Sequence, residues 1–366
     1  MSQHQVSLPP TKSRQTERQS EGTQPRRGLG TWIRRGLVWM IAGVLALAVI
    51  GAVYQAVATE IDQRAYPHPG EMVDIGGHRL HIDCVGQGSP TVILESGLGN
   101  MSADWANVQP EVAKTTRVCT YDRAGTGWSE PGPEPRDPQQ IARELHTLLG
   151  NARIDGPYVL VGQSFGGLYV RMYAARFPKE VEAMVLVDAS HPDMWTRLPP
   201  EVVATLKPPN WQVNAMTFLT RLGVFRLTDG DMAECGLPAR QCKEEQAYFR
   251  STRYRVTWGQ ETLAPDRDAQ VRATGGLGDR PLVVLSAGDH GRDFAAGVSG
   301  SARIQFERSW HNLQSELAVL STDSTHVVVE GAGHSTLQTD QEDAQVTSAV
   351  IDQVVEAVRT DGPLTR

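Results

Sequence analysis

From Glu71 onward, short apolar runs alternate with stretches in which apolar positions recur every three or four residues. The runs predict eight strands, at Met72–Ile75, Leu80–Val85, Thr91–Glu95, Arg117–Tyr121, Tyr158–Val161, Ala183–Val187, Leu282–Leu285 and Val327–Val329. The helical spacing predicts helices over Asp137–Leu149, Phe165–Phe177, Ser309–Leu320 and Gln341–Arg359. This alternation is the signature of an α/β fold with a mostly parallel sheet. Between the sixth and seventh runs the rhythm breaks, from His191 to Gly278, in a segment rich in Pro, Trp, Phe and Tyr. So long an insertion in a compact domain is usually functional, and residues 191–278 read as a helical lid between core parts at 71–190 and 279–366.

Upstream the pattern changes twice. Residues 1–32 are rich in Gln, Ser, Thr, Pro and Arg with almost no aliphatic residues, which predicts a disordered tail. Gly36 to Ala58 then carries no charged residue. At about 1.5 Å per residue this run crosses the roughly 30 Å of bilayer hydrocarbon. Residues 33–58 therefore read as a transmembrane signal anchor, with 59–70 a linker. Lys12, Arg14, Arg18, Arg26, Arg27, Arg34 and Arg35 precede it against Glu17 and Glu21, which keeps the N-terminus in the cytoplasm and puts the globular part outside, periplasmic or extracellular. Ala56-Val57-Ala58 also offers a signal-peptidase site. The length of the apolar run and of its leader favours the uncleaved anchor.

A chain of 366 residues with 40% hydrophobic content can bury one large core. The net charge of −7 conceals a basic leader and a strongly acidic remainder. An acidic globular part argues against nucleic acid as a partner, and the basic leader suits anionic membrane lipid. Cys84, Cys119, Cys235 and Cys242 are an even set in an exported segment. Cys235 and Cys242 can close a small ring, and Cys84 can meet Cys119 if their strands are neighbours. Four buried thiols are the alternative. No spacing resembles a zinc site.

The candidate chemistry centres on Gly162-Gln163-Ser164-Phe165-Gly166, lying between the fifth apolar run and a helical pattern. An abrupt strand-to-helix corner forces Ser164 into a strained conformation, and the flanking glycines avoid clashes there. A serine hydroxyl needs a base, and the base an orienting carboxylate. His334, on the turn Gly331-Ala332-Gly333-His334 after the last strand, is the best-placed base. The acid is Asp188, closing the sixth strand, or Asp289, in Ser286-Ala287-Gly288-Asp289-His290 after the seventh; Asp188 is favoured, with Asp293 a lesser candidate. Otherwise Asp188 caps the loop at Ala189-Ser190. The backbone N–H groups of Leu98 and Phe165 are the expected oxyanion donors.

Leu94-Glu95-Ser96-Gly97-Leu98-Gly99, Tyr121-Asp122-Arg123-Ala124-Gly125-Thr126-Gly127-Trp128-Ser129, the Ser164 elbow, Val185-Leu186-Val187-Asp188-Ala189-Ser190 and Gly331-Ala332-Gly333-His334 follow one another in order over residues 70–362. Together they resemble the α/β-hydrolase superfamily. Within it the chain is similar to bacterial membrane-anchored hydrolases of undefined substrate, and more distantly to prolyl aminopeptidases and haloalkane dehalogenases. Gln163 departs from the frequent His before the nucleophile, and Ser96-Gly97 from the common His-Gly. Dehalogenases and epoxide hydrolases use an Asp nucleophile, so Ser164 argues against both. The resemblance implies a serine hydrolase cleaving an ester, or an amide or thioester, of a small apolar substrate through an acyl-enzyme, with no cofactor or metal. Three alternatives stay open: an aminopeptidase using Glu244, Glu245 or Asp266 to hold the substrate amine, a cofactor-free lyase or haloperoxidase, and a non-catalytic scaffold. Tyr121–Gly125 reads as a structural turn tied by Asp122 and Arg123. Met194, Trp195, Trp211, Phe218, Phe225, Phe249, Tyr254 and Trp258 either line an acyl pocket or pack the lid onto the core.

Overall fold

A computed structural model describes Met1 and residues 29–228, 235–292, 294 and 298–364. Most of the tail expected at 1–32, and Asp293, lie outside the described residues. The chain divides into two compact units, Met1–Ala48 and Val49–Arg366. The helix Leu29–Ala65 begins in the first and ends in the second, and overruns the apolar stretch Gly36–Ala58 at both ends.

All eight strands form: β1 Glu71–Asp74, β2 Arg79–Val85, β3 Thr91–Glu95, β4 Val118–Tyr121, β5 Tyr158–Gln163, β6 Val181–Val187, β7 Leu282–Ala287 and β8 Ser324–Val329. They make one sheet in the order β1-β2-β4-β3-β5-β6-β7-β8. β1–β2 and β2–β4 pair antiparallel and the remaining neighbours pair parallel. Both faces are buried, which is why the central strands read as continuous apolar runs. Alternate side chains divide between two cores. Ile93, Leu160, Met184, Leu186 and Val284 pack with the helices Pro138–Asn151 and Gly166–Arg176. Val92, Leu94, Val159, Val161, Val185 and Leu285 pack with Gln341–Thr360.

Helix ends follow local chemistry. Asp137 accepts the Gln140 N–H ahead of Pro138, and Asp340 accepts from Glu342 and Asp343. The helix anticipated at Ser309 begins instead at Gly300, capped by Ser299. Its early turns hide the signal, because Ile304 points outward. The insertion is helical, with segments Met194–Arg197, Pro200–Leu206, Asn210–Arg221, Val224–Thr228, Ala239–Phe249, Thr252–Thr262 and Arg267–Arg272. Cys84 and Cys119 stand directly opposite each other across β2 and β4 and form one disulfide, and Cys235–Cys242 forms the other.

Candidate active site

The parallel strands β5 to β8 all end at one rim of the sheet, where Ser164 and Asp188 directly follow β5 and β6 and the loops after β7 and β8 supply His290 and His334. β5 stops at Gln163 and the following helix begins at Gly166, so the chain reverses at Ser164, whose φ is 54°. The corner is held by backbone bonds. Ser164 N–H donates to Val187 O at 3.1 Å, and Ser164 O accepts from Ser190 N–H at 2.8 Å. A Cβ on Gly162 would lie 2.7 Å from the Gly166 carbonyl, and one on Gly166 would lie 2.5 Å from Glu95 O. Only glycine satisfies both positions.

Asp188 also sits in the left-handed region, at φ 43°, a costly conformation for a residue with a side chain. Four donors hold it there. His334 Nδ1 lies 2.5 Å and His290 Nε2 2.9 Å from Oδ2, while Trp310 Nε1–H at 2.8 Å and Ala287 N–H at 3.1 Å donate to Oδ1. Asp188 is fully buried, which opposes its charge, but the bonds from His290 and His334 outweigh burial and hold its carboxyl far below the usual range.

Asp289, the other candidate acid, is not part of this group. It is exposed, and its carboxylate accepts the Gly291 N–H at 2.8 Å, closing its own loop. The residue that enters the site from this loop is its neighbour His290, 3% exposed. Its Nδ1 lies 2.9 Å from Glu307 Oε2 on the helix Gly300–Ala318, and its backbone N–H donates to Glu307 Oε1. Burial pulls the His290 pKa down, but its two carboxylates outweigh burial and raise it to about 10. Sequence reasoning missed His290, Glu307 and Trp310. The available signal was the His directly after Asp289 at a strand end, but its meaning depends on a carboxylate 17 residues away.

Ser164, His334, Leu98 and Phe165 line one cavity of about 400 Å³. The His334 ring Nε2 lies 3.3 Å from Gln163 Nε2. Among the described residues, neither the Leu98 nor the Phe165 N–H donates to a protein group. Of the aromatic and sulfur side chains anticipated as a pocket, Met194, Trp195 and Trp258 line it, joined by Phe294, Phe306 and Trp310. Phe249 and Tyr254 instead pack around Met101, Phe225 faces Arg255, and Trp211 and Phe218 are exposed. Phe249 and Tyr254 thus follow the alternative of packing the insertion onto the core, whereas Trp211 and Phe218 do neither, because the helix Asn210–Arg221 turns them outward. A second cavity of about 430 Å³, lined by Tyr66, Trp128 and Tyr248, contains none of the rim residues.

Arg123 secures the loop that carries Leu98. Its guanidinium donates to Ser96 O and Gly97 O, both at 2.7 Å, to Glu95 at 2.6 Å and to Glu261 of the insertion at 2.8 Å. Burial raises the Glu95 carboxyl to about 7 even with Arg123 beside it. The turn is thus tied differently from expectation: Asp122 accepts the N–H groups of Ser102 and Trp128, while Arg123 reaches across to the loop that carries Leu98. Asp188, His290 and His334 bring donor atoms within 4.8 Å of one another, the spacing of a metal-ligand set. With both ring nitrogens facing carboxylates, however, His290 keeps no lone pair for a cation.

Comparison with known proteins agrees with this architecture. The α/β-hydrolase fold family matches residues 90–290. The uncharacterized protein YqjL of Bacillus subtilis is 25% identical over 252 residues, covering 68% of this chain and 78% of its own. The 2-hydroxy-6-oxo-2,4-heptadienoate hydrolase of Pseudomonas putida is 34% identical over 123 residues, 33% of this chain and 44% of its own. A bromoperoxidase from Bacillus anthracis superposes with a TM-score of 0.55 at 18% identity, covering 78% of this chain and 99% of its own. The chain spans only 20% to 36% of the length of several other relatives. With the family match extending over more than half its length, and with the sheet and strand-end loops described above, this chain belongs to the α/β-hydrolase fold family.

Proposed function

We propose that this chain is a membrane-anchored serine hydrolase that cleaves an ester of an apolar acid through an acyl-enzyme. The observation that carries the reading is the 2.5 Å contact of His334 Nδ1 with Asp188 Oδ2, beside a cavity that Ser164 shares with His334. Ser164 Oγ attacks the ester carbonyl carbon and its proton passes to His334 Nε2. Asp188 accepts the Nδ1–H and stabilises the resulting imidazolium. The negative charge on the carbonyl oxygen is met by the N–H groups of Leu98 and Phe165, each such donor being worth roughly 3 kcal/mol. As the tetrahedral adduct collapses, His334 returns the proton to the departing alcohol. Water then repeats the sequence and releases the acid.

The cavity wall favours apolar acyl groups, since Met194, Trp195, Trp258, Phe294 and Phe306 line it. An aminopeptidase needs a carboxylate for the substrate amine. Among the described residues no carboxylate lines the cavity, and Glu244 is paired with Arg240 at 2.8 Å. This supports the ester reading over the peptidase one. The apolar helix Leu29–Ala65, the basic leader and two disulfides support an anchor with the N-terminus in the cytoplasm and the hydrolase fold outside the cell membrane.

The test is labelling with a fluorophosphonate probe. Wild type is expected to label and Ser164→Ala not to; equal labelling of both defeats the assignment.

A further inference from the structure

The helical insertion does more than cover the site. Its turn Leu222-Gly223 approaches the helix Leu29–Ala65 backbone to backbone. A side chain at Gly51 would collide with the Leu222 carbonyl oxygen, and one at Gly223, φ 72°, would lie 3.2 Å from both Gly51 O and the Tyr54 ring. Polar contacts fasten the approach. Arg226 pairs with Asp62 at 2.7 Å and donates to Gln55 Oε1 at 3.2 Å, while Gln55 Nε2 donates to Arg250 O at 2.8 Å. Gln55, the one amide in the apolar run Gly36–Ala58, is only 3% exposed. The segment from Val49 onward thus belongs to the same compact unit as Ser164.

Gly51 precedes Ala58, the last residue of the apolar run, by seven positions. At 1.5 Å per residue that is about 10 Å along the helix axis. If the run lies in hydrocarbon, the turn packed against Gly51 lies below the membrane surface. The side chains presented beside it suit that depth. Trp211, 72% exposed, Phe218, 59%, and Leu219, 38%, fall on one stripe of Asn210–Arg221, and Leu227 in the next helix is 72% exposed. Asn210 to Thr220 carries no charge, whereas Lys207 and Arg221 flank it. Interfacial helices sink such a face about 5–10 Å into the boundary of headgroups and acyl chains, with cationic side chains reaching the phosphates. Leu206, just upstream, is 41% exposed and lines the Ser164 cavity, so it stands at the mouth.

We propose that the Trp211–Phe218 face of the helix Asn210–Arg221 is embedded in the same bilayer that the N-terminal helix spans, so that the cavity opens at the lipid surface and admits esters that partition into it. The inference rests on the anchor reading above and deepens it. The helical segment from Val49 onward, packed against the turn Leu222-Gly223, sets the depth of the entrance.

The experiment uses the full chain in nanodiscs of phosphatidylcholine and phosphatidylglycerol. A nitroxide is attached to single cysteines from Trp211→Cys, Phe218→Cys, Val44→Cys and Val319→Cys. The four natural cysteines are held in disulfides, so the introduced thiol takes the label. Val319, 81% exposed and at the opposite end of β8 from His334, reports water. Collision of the label with oxygen, which concentrates in lipid, is compared with collision with an aqueous nickel chelate. Labels at 211 and 218 are expected to meet the chelate at least about fivefold less than the label at 319, and oxygen more. If 211 and 218 meet the chelate as freely as 319 while 44 is shielded, the anchor reading stands and this inference falls. If 44 is open as well, both fall. Shielding of 211 and 218 from both reagents identifies a protein partner or second copy on this face and also overturns the proposal.

Discussion

His290→Gln probes the electrostatics of the rim directly. His290 donates Nε2–H to Asp188 and Nδ1–H to Glu307, both at 2.9 Å, and only a doubly protonated ring does both. Its pKa, raised to about 10 against the cost of burial, keeps it cationic through neutral pH. The His290 and His334 ring centroids are 6.4 Å apart. In the proposed acylation His334 also becomes cationic, and at an effective dielectric constant of about 20 two unit charges at that separation repel by roughly 2–3 kcal/mol. That is equivalent to about two pH units. Glutamine retains an amide N–H for Asp188 and removes the charge. The acid limb of kcat/KM for a p-nitrophenyl ester should therefore move to higher pH by about one to two units in the variant, allowing for solvent screening. Stability supplies the companion measurement. A histidine whose folded pKa is raised contributes fully below its unfolded value of about 6.5 and loses that contribution as pH rises through the folded value. The difference in urea midpoint between wild type and His290→Gln should accordingly shrink from neutral pH toward about 10. An acid limb that stays in place, or shifts to lower pH, refutes the argument.

Two further outcomes follow from the same geometry, beside the probe labelling and the nitroxide accessibilities already described. Asp188→Asn presents an amide donor to His334 Nδ1 and forces the wrong tautomer, so kcat for a p-nitrophenyl ester should fall by about 10⁴-fold, whereas Asp289→Asn should leave it unchanged. The opposite ranking would transfer the acid's role to the seventh strand. Arg123→Leu strands Glu95 and Glu261 in the interior without their cation and should cost about 3–5 kcal/mol in urea unfolding. An Arg123→Leu protein as stable as wild type would show that the buried network does not hold the loop that carries Leu98.

The regular elements were legible because each is specified over a few residues. Val92 to Leu94 and Val159 to Val161 read as continuous apolar runs because helices bury both faces of the sheet, and Asp137-Pro138 marks a helix start through a side-chain cap. The Ser164 elbow was equally local, since Gly162 and Gly166 are demanded by atoms within the corner and in the neighbouring β3. Asp188 and Asp289 looked alike along the chain, each following an apolar strand. The left-handed turn at Asp188 aims one carboxylate at His334, 146 residues away, while a local turn folds the other onto Gly291. The same limit applies to the insertion, where Trp195 and Trp258 face the cavity but Trp211 and Phe218 face outward, although all four are large aromatics on short helices. By itself the amino-acid order determined where strands, corners and candidate reactive groups occur. Tertiary structure alone decided which groups meet, because hydrogen bonds such as His290–Glu307 and Arg123–Glu261 need ångström-level placement of distant loops, which no short-range pattern encodes.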